Sequence, residues 1–160
     1  MNTLGIRVSP YLITYVIYES QNKKFIFKSY KRPKFLNFPE FLKYIRYNFL
    51  DILDSHKINY VAIKKIEYNA QNCSHERIAI EGVIQEALAS SNILAYFIEN
   101  KTSFFKAFLE KPEIIKLALG KQENFISLIS SYGELDEKIT NEEAREAACS
   151  SIVAFKKGNR

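Results

Sequence analysis

Polar and apolar positions alternate, or run together, in a way that divides the chain into extended segments first and helices afterwards. Thr3–Val8 alternates in part, Leu12–Glu19 is β-branched and aromatic, and Lys24–Tyr30 follows a polar turn over 20–23. These features predict three strands. Ser9-Pro10 separates the first two tightly, so the three read as an antiparallel meander. Asn37-Phe-Pro-Glu40 then opens a helix, because proline in a first turn loses no hydrogen bond. Phe38, Phe41, Leu42, Ile45, Phe49, Ile52 and Leu53 recur at spacings of three and four, one apolar face of that helix.

Tyr60–Ile66 predicts a fourth strand, and Ser74 can cap a second helix whose stripe is Ile78, Ile80, Val83, Ile84, Ala87 and Leu88. Ile93–Ile98 predicts a fifth strand. Short helices are predicted over Thr102–Leu109, Pro112–Leu119 and Glu123–Ser131. Thr140 and Glu143 have capping-box spacing ahead of Ala144, Ala147, Ala148, Ser151, Ile152 and Phe155, a small-residue face that can lie close on a sheet. Two strand–helix–strand crossovers after an antiparallel meander give an α/β fold: a mixed five-stranded sheet with helices on both faces. No linker or repeat divides the 160 residues, so one domain over 1–160 is expected.

Composition narrows the class. The chain is 47% apolar and 26% charged, which excludes a disordered or fibrous protein. No apolar run reaches the roughly 18–20 residues of a membrane span, and residues 1–6 lack a signal-peptide pattern. Cys73 and Cys149 are too far apart to form a zinc pair or a disulfide framework, so a cytoplasmic location is expected and no membrane partner. The net charge of +5 is unevenly placed: twelve basic and five acidic side chains up to residue 72, eleven and thirteen after it. Lys23, Lys24, Lys28, Lys31, Arg32 and Lys34 form the densest cluster, a candidate phosphate footprint or else a solvated hairpin.

Short motifs then carry a resemblance. Leu4-Gly-Ile-Arg-Val-Ser-Pro10, Tyr60-Val-Ala-Ile-Lys-Lys-Ile66, Ile80-Glu-Gly-Val83 and Glu143-Ala-Arg-Glu-Ala-Ala148 resemble, in order, the first strand, fourth strand, following helix and final helix of RuvC-like Holliday-junction resolvases, a branch of the ribonuclease H-like superfamily. The resemblance implies that fold over nearly the whole chain. It also implies a place where the family's four carboxylates hold divalent metal for phosphodiester hydrolysis. Here the first-strand acid falls on Arg7 and the fourth-strand acid on Lys64. Only Glu143 and Glu146 keep acids.

The magnitudes argue against a metal. Two unit charges about 4 Å apart interact by about 4 kcal/mol at an effective dielectric of ~20, so a divalent ion beside one cation meets about 8 kcal/mol of repulsion. Arg7 and Lys64 are therefore expected to neutralise Glu143 and Glu146 as an internal ion-pair cluster, with Arg7 largely buried on a central strand. Catalytic residues and cofactors are expected to be none. Glu67, just past Lys64, is a possible substitute ligand, but strand alternation turns it away from the Lys64 side. The expected function is a catalytically inactive domain that binds structured nucleic acid or a protein partner, including a second copy of itself. The alternatives are an active magnesium-dependent endonuclease using Glu67, Glu143 and Glu146, and a structural subunit that touches no nucleic acid.

The remaining residues have ordinary readings. His56, and the Cys73-Ser-His75 run, lack companions at metal-ligand spacing. Gly82 inside a helix is expected to permit a close helix–sheet approach. Phe104, Phe105 and Phe108 share a helical face that suits a core or a partner groove.

Overall fold

The computed structural model describes residues 1–66 and 74–160. The elements follow the predicted order: β1 Asn2–Val8, β2 Leu12–Glu19, β3 Lys24–Lys31, α1 Phe38–Ser55, β4 Ile58–Lys64, α2 His75–Ala89, β5 Ala95–Glu99, α3 Lys101–Phe108, α4 Pro112–Gly120, α5 Gln122–Ile129 and α6 Glu142–Gly158. The sheet runs β3-β2-β1-β4-β5. The β1–β2 and β2–β3 pairs are antiparallel, and the β1–β4 and β4–β5 pairs are parallel. Among the described residues no helix is long and apolar enough to cross a membrane.

Side-chain alternation splits the core in two. Leu4, Ile6 and Val8 of β1 pack with Val61 and Ile63 under α1 and α2. The opposite face carries Val16, Ala62 and Phe25 against α3–α6, with Ala147, Ala148 and Ile152 of α6 at its centre. Phe104 is fully buried there and Phe105 and Phe108 pack around it, so this aromatic face is core.

Two local expectations are corrected. The α6 cap is Asn141, not Thr140. Asn141 sits in extended backbone and its side chain accepts from the Ala144 N–H at 2.8 Å, so the helix starts one residue late for the Thr140–Glu143 box. The capping box is at α1 instead, where Asn37 and Glu40 satisfy each other's backbone N–H groups. Gly82 is exposed, and a Cβ there would meet nothing within 4 Å. The close approach falls at Gly5, where a Cβ would lie 1.9 Å from the Ala147 carbonyl oxygen and 2.3 Å from the Ser151 nitrogen. A bare backbone at Gly5 is what lets α6 lie directly on β1.

Arg145, also buried, ties the helical segments together. It donates to the Leu119 carbonyl at 2.6 Å, to Gln122 at 3.0 Å and to the Thr140 carbonyl at 2.8 Å.

Candidate functional site

The parallel strands β1, β4 and β5 end on one edge of the sheet, at Arg7, Lys64 and Glu99, which are register partners in adjacent strands. Parity puts all three on the α6 face, since Gly5, Ala62 and Phe97 two positions earlier face α6. Contact at Gly5 fixes α6, and that places Glu146 over Arg7. Arg7 Nε donates to Glu146 Oε2 at 2.6 Å, and Arg7 Nη1 donates to the Val8 carbonyl at 2.8 Å. The Glu146 side chain is only 4% exposed and that of Arg7 17%. Lys101, at the start of α3, reaches Glu146 Oε1 at 3.2 Å and Glu142 at 3.4 Å. Lys64 is 2% exposed, and its Nζ donates to the Lys65 carbonyl at 3.1 Å.

The helix α2 brings further charge to the same edge. Arg77 and Glu81 are both buried, one turn apart. Burial pushes the Glu81 carboxyl above the ordinary carboxylate value, opposed by Arg77, Arg7 and Lys64 and by a backbone hydrogen bond at Ile66. Glu81 Oε1 has no hydrogen-bond partner among the described residues. The expected stripe through Ile78 is corrected by this arrangement: Ile78 is 54% exposed, and Arg77 takes the inward position. Arg77, Ile80, Glu81, Ile84 and Leu88 hold i, i+3, i+4, i+7, i+11 spacing. Two charged residues thus occupy positions of the buried stripe.

Of the positions predicted from sequence, Arg7 and Glu146 meet and Lys64 lies in their row. The expected partner set is otherwise corrected. Glu146 takes Lys101 as its second cation, and half-buried Glu143 forms no ion pair among the described residues. Helix geometry explains this, since residues four apart project more nearly alike than residues three apart, so Lys101 bridges Glu142 and Glu146. Glu99 accepts from Lys157 and from Ser103 and is likewise 4% exposed. Sequence reasoning missed Arg77, Glu81, Glu99 and Lys101. Glu67 and Cys73 lie outside the described residues. Cys149 is buried in α6, its thiol pushed up by burial and by Glu146.

The donor set among the described residues does not fit a divalent metal. Among the described residues no three His, Cys, Asp or Glu side chains come together as a metal site, and Glu146 is already held by two cations. Hard cations need several oxygen anions, and Arg7 and Lys64 offer none.

The basic segment is spread along edge strand β3 rather than gathered. Lys23 and Lys24 lie at the hairpin end, Lys28 midway, and Lys31, Arg32 and Lys34 at the end that adjoins the β1 terminus. The five lysines are exposed. Arg32 is held by Glu76 at 3.3 Å and by the Phe38 ring at 5.5 Å.

No protein-family model matches the sequence, and no curated protein matches it. Solved structures match its fold. Thermus thermophilus RuvC is similar at a TM-score of 0.77 and 13% identity, over 99% of this chain and 96% of that one. The same protein in complex with Holliday junction substrate gives 0.74 and 12%, over 99% and 95%. The yeast mitochondrial Holliday junction resolvase gives 0.66 and 6%, over 96% and 78%. The chain therefore has the RuvC-like, ribonuclease H-like fold that its motifs resemble.

Proposed function

We propose that this chain is a RuvC-like nuclease fold that does not cleave, and that it binds structured nucleic acid at the sheet edge where β1, β4 and β5 end. The observation that carries the reading is the Arg7–Glu146 contact at 2.6 Å. A guanidinium fills the place where the resembled family puts a metal-binding acid, and it neutralises a carboxylate that the metal would need. Open α/β sheets bind ligands beyond the carboxyl ends of their strands, which here is the edge bearing Arg7 and Lys64. Lys31 and Lys34 stand exposed on the same side. Thermus thermophilus RuvC, of the same fold, was solved with a Holliday junction. A four-way DNA junction is accordingly the probe of choice.

Incubation of the junction with the protein and magnesium or manganese should give no cleavage, while fluorescence anisotropy should detect binding at about 50 mM salt. The Lys31→Gln/Lys34→Gln variant should bind more weakly whatever the sequence, with the log–log salt slope reduced by roughly one per lost phosphate contact. Cleavage that disappears in Glu143→Gln would establish the endonuclease alternative. No binding at low salt would overturn the nucleic-acid reading in favour of a protein partner.

A further inference from the structure

Away from the sheet edge, α3 and the last turns of α6 enclose a pocket of about 280 Å³ lined by Ser103, Lys106, Ala107, Val153, Lys156, Lys157 and Arg160. We propose that this pocket is an anion site for a phosphate group. Four cationic side chains line it and no carboxylate side chain does. Val153 and Ala107 supply its apolar lining, and the four cationic residues are exposed around it.

The bland account of such lysines is that they offset helix C-termini. The arithmetic exceeds it. Each helix end carries about half a negative charge, so the ends of α3 and α6 together offset one cation. Glu99, behind the pocket, is taken up by Lys157 and Ser103 and offsets a second. Positive charge remains in excess, which suits a phosphate group.

Two of the ammonium groups are also held in place. Lys157 is fixed by Glu99 and lies 4.9 Å from the Phe97 ring centre, and Lys156 lies 5.4 Å from that of Tyr132. Ordered cations lose less freedom on binding than free ones. The volume is at the low end of the ~300–1,000 Å³ of small-molecule sites, room for a phosphate or diphosphate head but not for a whole nucleoside as well.

The phosphate could come from a nucleic-acid strand or from a small phosphorylated compound, and calorimetric titration with two probes separates them. The probes are inorganic pyrophosphate and an oligothymidylate of about ten nucleotides. Lys106→Gln/Arg160→Gln removes two exposed cations and should leave the fold intact, checked by circular dichroism. Lys116→Gln/Lys121→Gln, on α4 and just after it, is the charge-matched control. Loss of pyrophosphate affinity by about tenfold in the pocket variant alone supports the site, with a small phosphorylated ligand if the oligonucleotide is unaffected. Weakened oligonucleotide binding in the pocket variant alone, with a salt slope lower by about two, supports a strand ligand. Equal losses in the control variant, or no difference between wild type and pocket variant with both probes, overturn the proposal. These outcomes are independent of Lys31 and Lys34, so the pocket and the sheet-edge reading fail separately.

Discussion

Replacing Arg7 by Met should destabilise the protein mainly by what it leaves behind. Glu146 is 4% exposed and accepts from Arg7 at 2.6 Å, while its other cation, Lys101, is 37% exposed at 3.2 Å. Removing one partner of a buried pair typically costs about 3–5 kcal/mol, because the survivor stays buried and charged. Lys101 remains, but a pair so open to solvent contributes at most about 1 kcal/mol. Arg7 itself is not sealed, which places the expected cost of Arg7→Met near the lower end, about 3 kcal/mol. Glu146→Met should cost a similar amount, since it orphans Arg7 beside Lys64. The double variant should fall short of the sum by about 2–3 kcal/mol, because two apolar side chains can pack where the pair stood. Urea unfolding reads this directly: with a slope of about 2 kcal/mol per molar, each single variant loses about 1.5 M in midpoint. If the double variant equals the sum of the singles within about 0.5 kcal/mol, the two residues are not energetically coupled and the ion-pair account of the site fails.

Gly5→Ala puts a methyl group 1.9 Å from the Ala147 carbonyl oxygen, against backbone that cannot swing aside, so α6 must shift. The expected cost is about 1–3 kcal/mol or more, a fall in Tm of several degrees; an unchanged melting curve would refute the close contact. Glu81 has its carboxyl raised by burial, so the folded state holds that proton more tightly than the unfolded chain. Stability from this group is present below the ordinary carboxylate value and is lost as pH rises through the raised one. Urea titrations should therefore show wild type losing ground to Glu81→Gln on going from acid to neutral pH; a parallel pH dependence in the two proteins would remove Glu81 from the cluster.

Most of the fold was legible because period and punctuation agreed. The meander, the α1 stripe and the two crossovers all came from apolar spacing and turn residues, and boundaries moved by only a few positions. β5 starts at Ala95 rather than Ile93, for example, because Ile93 packs into the core from the connection while Leu94 is 69% exposed. The site was legible only where a short motif supplied a register. Arg7 and Glu146 came from such matches. Lys101, Glu99 and Arg77 lay outside the motifs, and Glu81, though inside one, was given no role, because hydrophobic periodicity assigns every charge to the surface by default. The same default sent Ile78 inward and Arg77 outward, the reverse of the structure.

That reversal has a physical cause in the site itself. A buried cation on β1 or β4 is tolerable only if the elements packed around it bring opposite charge. α6 supplies Glu146 to Arg7 from one face of the sheet, and α2 supplies Glu81 from beside Ile66 at the same edge. Arg77 and Lys101 then face the acids that these helices introduce. Charge on β1 and β4 is thus matched by charge on the two helices that pack beside it. Arg7, Arg77, Glu81, Lys101 and Glu146 therefore form one set, in which replacing a single member leaves the charge it faced buried and less well matched.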